Sequence, residues 1–201
     1  MRDMDEKMNE NRIIELPTSK QIEDELRSIK YRRDFRKILI STVSSLIVVA
    51  AIAVLVSMLF LPVLRVTGTS MTPTLQNDEL VVCRRKGSFE SGDIVAFYFN
   101  NKILLKRVIG TAGDVIDISE DGTVYVNGEI LDEPYVTEPA FGECDIKLPY
   151  QVPDNRIFVM GDHRTVSIDS RSTTVGCISE EFVIGRVIMR VWPFEEIGTL
   201  D

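Results

Sequence analysis

The chain has 201 residues, enough for one globular domain and an anchor but not for two large domains. Its formal net charge is −8, from 23 basic and 31 acidic side chains; residues 65–201 hold 13 and 22 of these, and so acidic a stretch lacks the clustered Lys and Arg that nucleic-acid phosphates require. Cys83, Cys144 and Cys177 are too few and too irregular for a disulfide framework or a zinc site, although one pair could form outside the cell, and the single His163 counts against a catalytic metal.

Residues 1–37 are nearly neutral, with ten basic and nine acidic side chains. Residues 1–16 carry no apolar periodicity and are expected to be disordered. Pro17 and Thr18 followed by Gln21 fit a helix start with a capping box, and Ile22, Leu26 and Ile29 recur at helical spacing. A short amphipathic helix is expected here, its basic face either touching anionic lipid or simply solvated.

Residues 38–64 contain no charged side chain, a run of 27 residues against the ~20 needed to cross a bilayer as helix. A cleaved secretory signal has a short basic start and ~7–15 apolar residues. Here 37 residues precede a much longer run, so an uncleaved anchor is expected. Arg27, Lys30, Arg32, Arg33, Arg36 and Lys37 crowd its N-terminal side, whereas only Arg65 follows directly. The positive-inside rule places residues 1–37 in the cytoplasm and residues 65–201 outside.

Beyond the anchor the pattern becomes that of short strands, at 79–83, 93–99, 103–109, 115–118, 123–126, 156–160 and 183–191. Asn100-Asn101, Asp121-Gly122 and Asn127-Gly128 punctuate them as turns, and residues 114–128 read as one hairpin. Residues 132–152 carry three prolines and are expected to form an extended loop.

Three segments carry candidate chemistry. Ser70 lies in a Thr-Gly-Thr-Ser-Met-Thr-Pro turn, where Gly68 permits a tight backbone and N–H groups can face a developing oxyanion. Lys106 sits in an apolar strand beside Arg107, and alternation puts Leu104, Lys106 and Val108 on one face and Ile103, Leu105, Arg107 and Ile109 on the other. A lysine there either snorkels to water or is buried with a lowered pKa. Only the second form supplies a neutral amine able to accept a proton. Residues 161–171, dense in charge, directly follow an apolar strand, and Asp169 and Arg171 are spaced to pair.

Taken in order, Ser-Met-Thr-Pro-Thr-Leu at Ser70, Lys-Arg-Val-Ile-Gly-Thr-Ala-Gly-Asp at Lys106 and Gly-Asp-His-Arg-Thr-Val-Ser-Ile-Asp-Ser-Arg from Gly161 resemble the motifs of type I bacterial signal peptidases. The terminal Ile-Gly-Arg-Val-Ile-Met-Arg-Val-Trp-Pro-Phe is similar to the end of that family's domain, and the resemblance covers residues 38–195. It implies an antiparallel β-sheet catalytic domain behind one transmembrane helix, acting on preprotein signal peptides at the lipid bilayer with no metal and no cofactor. It implies Ser70 as nucleophile and Lys106 as general base. Ser167 would hydrogen-bond the Lys106 amine, Asp169 and Arg171 would brace the loop, and the Ser70 N–H would serve the oxyanion. Leu64, Val66, Thr67 and Met71 would line shallow pockets for small substrate residues.

Two positions depart from the pattern. Gly68 stands where some members carry a serine as second oxyanion donor, and His163 stands where asparagine is usual. Rival expectations are a Ser-His-Asp hydrolase built on Ser70, His163 and Asp162 or Asp169, a self-cleaving repressor with a Ser/Lys pair, and a non-catalytic, pilus-linked assembly factor. The last typically loses the serine or the lysine, and both are present here.

Overall fold

Helix α1 spans Ser19–Phe60 in the computed structural model, which describes residues 18–85 and 87–200. The disorder expected for residues 1–16 lies outside the described residues. The Thr18 N–H donates to Gln21 Oε1 at 2.9 Å, one half of the expected capping box. Tyr31 and Phe35, one turn apart, stack with ring centroids 6.4 Å apart. The apolar part of α1 is exposed among the described residues and is, by length and composition, long and apolar enough to cross a membrane. Pro62 cannot continue a helix and restricts Leu61 before it, so the chain leaves α1 and enters strand β1 at Val63–Arg65. The last residues of the uncharged run are therefore strand.

The first fifty-four residues form one unit and residues 55–201 another, in which the β-structure lies. The strands are β2 (Leu80–Arg84), β3 (Ile94–Phe99), β4 (Lys102–Gly110), β5 (Val115–Ile118), β6 (Val124–Val126), β7 (Glu129–Ile130), β8 (Tyr150–Gln151), β9 (Arg156–Met160), β10 (Ile178–Ser179), β11 (Val183–Trp192) and β12 (Gly198–Thr199). They form an eight-stranded sheet in the order β1-β2-β11-β3-β4-β9-β10, with β12 beside β11, and a four-stranded sheet β7-β6-β5-β8. Every recorded pairing is antiparallel.

The expected strands are all present. The turn between β3 and β4 holds Asn100 and Asn101 at φ of 46° and 60°, left-handed values that asparagine tolerates. The hairpin expected at 114–128 is the β5–β6 pair. Residues 132–149 are without strand, but Tyr150 and Gln151, expected within the loop, pair with β5 as β8. Val66, Met71, Leu75, Val81, Cys83 and Val187 share one buried cluster, which seats the segment following β1 on the large sheet. All three cysteines are free.

Two strand edges remain open next to each other. Among the described residues, β1 pairs only with β2. The Val66 N–H donates to Glu79 O and the Cys83 N–H to Pro62 O, so parity turns the backbone groups of Val63, Arg65 and Thr67 away from β2. β4 pairs with β3 along Lys102–Arg107, but with β9 only from Arg107 onward. Val108 exchanges hydrogen bonds with the β3 side, which leaves the Ile103 and Leu105 backbone groups on the unpaired side.

Candidate active site

Ser70 sits in the turn after β1, and the sequence dictates why the turn is tight. Gly68 adopts φ 93°, a left-handed value that costs other residues strain, and its N–H donates to Asn77 Oδ1 at 2.9 Å. The Thr72 N–H and Oγ1 both donate to Thr69 O, and the Leu75 N–H donates to Met71 O. Met71 and Leu75 point into the core and hold the turn from below. Ser70 itself is half-buried.

β4 delivers Lys106 to this turn. Its Nζ lies 2.6 Å from Ser70 Oγ, while the side chain is buried, only 4% exposed. Burial is the largest influence and pushes the Lys106 pKa from 10.5 down to about 8; Asp169 acts against this, Arg171 lowers it further and Asp162 raises it. Of the two readings left open by the sequence, the buried lysine is the one present. At pH 7 a pKa of about 8 leaves roughly a tenth of the amine neutral, against less than ~0.1% for an ordinary lysine.

Asp169 and Arg171 pair as expected. Arg171 Nε donates to Asp169 Oδ1 and Arg171 Nη2 to Asp169 Oδ2, both at 2.9 Å, with both side chains fully buried. The remaining Arg171 donors reach the carbonyls of Phe141 and Arg164. Asp169 Oδ2 also accepts the Gly161 N–H at 3.0 Å. The pair thus ties the 161–171 loop to itself and to the 140–141 segment, with its buried charges satisfied.

Ser167 departs from expectation. Its Oγ is buried and has no hydrogen-bond partner among the described residues, so the contact with the Lys106 amine is not made. The Ser167 N–H is committed to His163 O, its carbonyl lies near Arg171, and the amine is engaged by Ser70. Ser167 still belongs to the site: a Cβ on Gly161 would run into both Ser167 Oγ and the Ser70 carbonyl oxygen, so only glycine fits between them.

Several contacts around Ser70 and Lys106 escaped the sequence reading. Arg107, next to Lys106, forms a second buried bidentate pair with Asp162, at 2.9 and 2.7 Å. Thr74 Oγ1 donates to Asp162 Oδ2 at 2.5 Å and Arg107 Nη1 to Gly92 O at 2.8 Å, and the guanidinium lies 3.8 Å from the Tyr135 ring centroid. This network links β4, the 161–171 loop and the turn that carries Ser70. Arg164, buried in the same loop, pairs with Glu133 across 31 residues. An arginine amid apolar strand residues signalled the first pair; nothing local signalled the second.

A groove of about 420 Å³ lies beside Ser70, between the open edges of β1 and β4. Leu64, Val66, Thr67 and Met71, the expected substrate-binding residues, all line it, and β4 contributes Ile103, Leu104 and Leu105. His163 stands elsewhere. Its Nδ1 lies 2.9 Å from Thr72 Oγ1 and 3.3 Å from Thr69 O, and its ring has no recorded contact with Ser70 Oγ.

The profile of the family described as "Signal peptidase, peptidase S26" matches residues 39–192. The chain belongs to that family. A "Signal peptidase IB" of Staphylococcus aureus (strain Mu50) is 34% identical over 181 residues, covering 80% of this chain and 93% of its own. A "Signal peptidase I" of Bacillus licheniformis is 37% identical over 173 residues, covering 79% and 91%. A crystal structure of a signal peptidase I from Enterococcus faecalis V583 aligns with 49% of this chain and 96% of its own at 28% identity and a TM-score of 0.42. Membership in this peptidase family makes the chain a serine endopeptidase, and with α1 a membrane-anchored one.

Proposed function

We propose that this protein removes N-terminal signal peptides from exported preproteins by attack of Ser70, with Lys106 as general base. The observation that carries this is the 2.6 Å contact between Ser70 Oγ and a buried lysine amine, beside a groove flanked by two unpaired strand edges. An extended peptide entering the groove finds backbone groups of Val63, Arg65 and Thr67 on one side and of Ile103 and Leu105 on the other, and binds by strand addition. Apolar walls from Leu64, Val66 and Met71 leave room for small side chains such as alanine near the cut.

Neutral Lys106 Nζ takes the Ser70 hydroxyl proton as Oγ bonds to the scissile carbonyl carbon. The Ser70 N–H, which has no partner among the described residues, faces the oxyanion. The Gly68 N–H is already committed to Asn77, so a second donor comes from other backbone or from water. Lys106 then returns the proton to the leaving amine, and an ester links Ser70 to the signal peptide. Water, deprotonated by the same amine, attacks the ester and regenerates the hydroxyl. The buried Asp169–Arg171 and Arg107–Asp162 pairs keep Lys106 and the nucleophile turn in register through this cycle.

The basic residues before the anchor place residues 1–37 in the cytoplasm and the catalytic domain outside. The histidine-based alternative is disfavoured by the position of the His163 ring, on Thr72. The direct test is incubation of the full chain in detergent micelles with a preprotein. A new mature N-terminus after a small-x-small triplet, read by mass, is expected; no cleavage of any preprotein would sink the proposal.

A further inference from the structure

The turn that carries Ser70 is gripped from outside by one residue. The His163 N–H donates to the Ser70 carbonyl oxygen at 3.1 Å, and the His163 ring meets the turn at Thr72 Oγ1 and Thr69 O. The partners fix the ring's proton. Thr69 O only accepts. Thr72 Oγ1 already donates to Thr69 O at 2.9 Å, so it presents lone pairs to the ring. Both partners call for a donor, which assigns the hydrogen to Nδ1. An Nδ1 that donates here is not free to take the serine proton.

We propose that His163 is a positioning residue for Ser70: its Nδ1–H clamps residues 69–72 so that the Ser70 hydroxyl stays on the Lys106 amine. The proposal rests on the Ser70–Lys106 reading given above. On its inner side the turn is anchored by Met71 and Leu75, whereas Thr69 and Gly68 are exposed. The clamp closes the outer side. Small displacements of a nucleophile from its base are costly in rate, so loss of the clamp acts on the chemical step. His163 does not line the groove, so substrate binding is left alone.

The atom responsible can be tested by length. An asparagine Nδ2 lies as many bonds from the backbone as a histidine Nδ1 and can supply the same donor. A glutamine amide lies one bond further out. The ranking expected for the rate is therefore histidine and asparagine together, above glutamine and alanine.

The experiment is single-turnover cleavage of a synthetic signal-peptide substrate by the full chain in detergent micelles. His163→Ala and His163→Gln should slow the bond-breaking step roughly five- to tenfold, with the half-saturating substrate concentration unchanged. His163→Asn, which keeps a donor at the same reach, should stay within about twofold of the parent. Alanine at the parent rate, asparagine as slow as alanine, or a loss confined to half-saturation would each overturn the clamp. Should His163→Ala not fold, the Asn–Gln comparison decides by itself. A parent protein that does not cleave would instead overturn the Ser70–Lys106 reading.

Discussion

Replacing Lys106 by methionine should abolish cleavage yet make the protein more stable at neutral pH. The lysine is buried, 4% exposed, and its pKa is pushed down from 10.5 to about 8. The unfolded chain therefore holds a proton that the folded chain gives up between those two values. Over that window stability rises with pH, and below it the charged, buried amine is a constant burden. The displacement corresponds to about 3 kcal/mol at pH 7, falling to about 1 kcal/mol by pH 10. Methionine fills similar volume and carries no charge. The Lys106→Met protein should then melt roughly 10 °C above the parent at pH 7, with most of the gap closed by pH 10. Thermal unfolding of both full chains in micelles, followed by circular dichroism from pH 6.5 to 10, measures this. A parallel rate profile of the parent should rise through about pH 8, where the amine becomes neutral. A gap that does not change with pH, or a rate rising near ~6.5 as for an unperturbed histidine, would refute the buried-base argument.

Arg107→Ala should strand the buried Asp162 carboxylate and destabilise the domain by about 3–5 kcal/mol, read as a lowered denaturant midpoint. Leu64→Trp should fill part of the groove beside Ser70 and lower kcat/KM for a substrate with alanine at the cut while leaving the unfolding midpoint nearly unchanged. Protease added outside intact spheroplasts should digest the β domain and spare the segment before the anchor; protection of the domain would contradict the orientation drawn from Arg27 to Lys37.

Much of this site was legible because its residues violate the patterns around them. Lys106 and Arg107 are charges within an apolar strand, and residues 161–171 are a charged loop following a buried strand. The strands of four or more residues are long runs rich in Val, Ile and Phe, and they were found, as was β6 between its Asp-Gly and Asn-Gly turns. β7, β8, β10 and β12, two residues each, and β1, three residues hidden at the end of a hydrophobic run, offer too few positions for a period to emerge. Pairing across distance was equally silent: Glu133 lies in a stretch without periodicity, and only the fold brings it to Arg164. The expected Ser167–Lys106 contact failed for a similar reason. Spacing places Ser167 in the loop, but the rotamer of a buried hydroxyl depends on neighbours such as Gly161 that the chain supplies only once folded.

The central claim is that Ser70 attacks and Lys106 takes its proton. It is tested most directly by the initial rate of preprotein cleavage for the parent, Ser70→Ala and Lys106→Ala under one condition, with circular dichroism showing all three folded. Both variants should fall to the uncatalysed background while the parent yields a single new N-terminus. Cleavage by Ser70→Ala at the parent's rate would contradict the account.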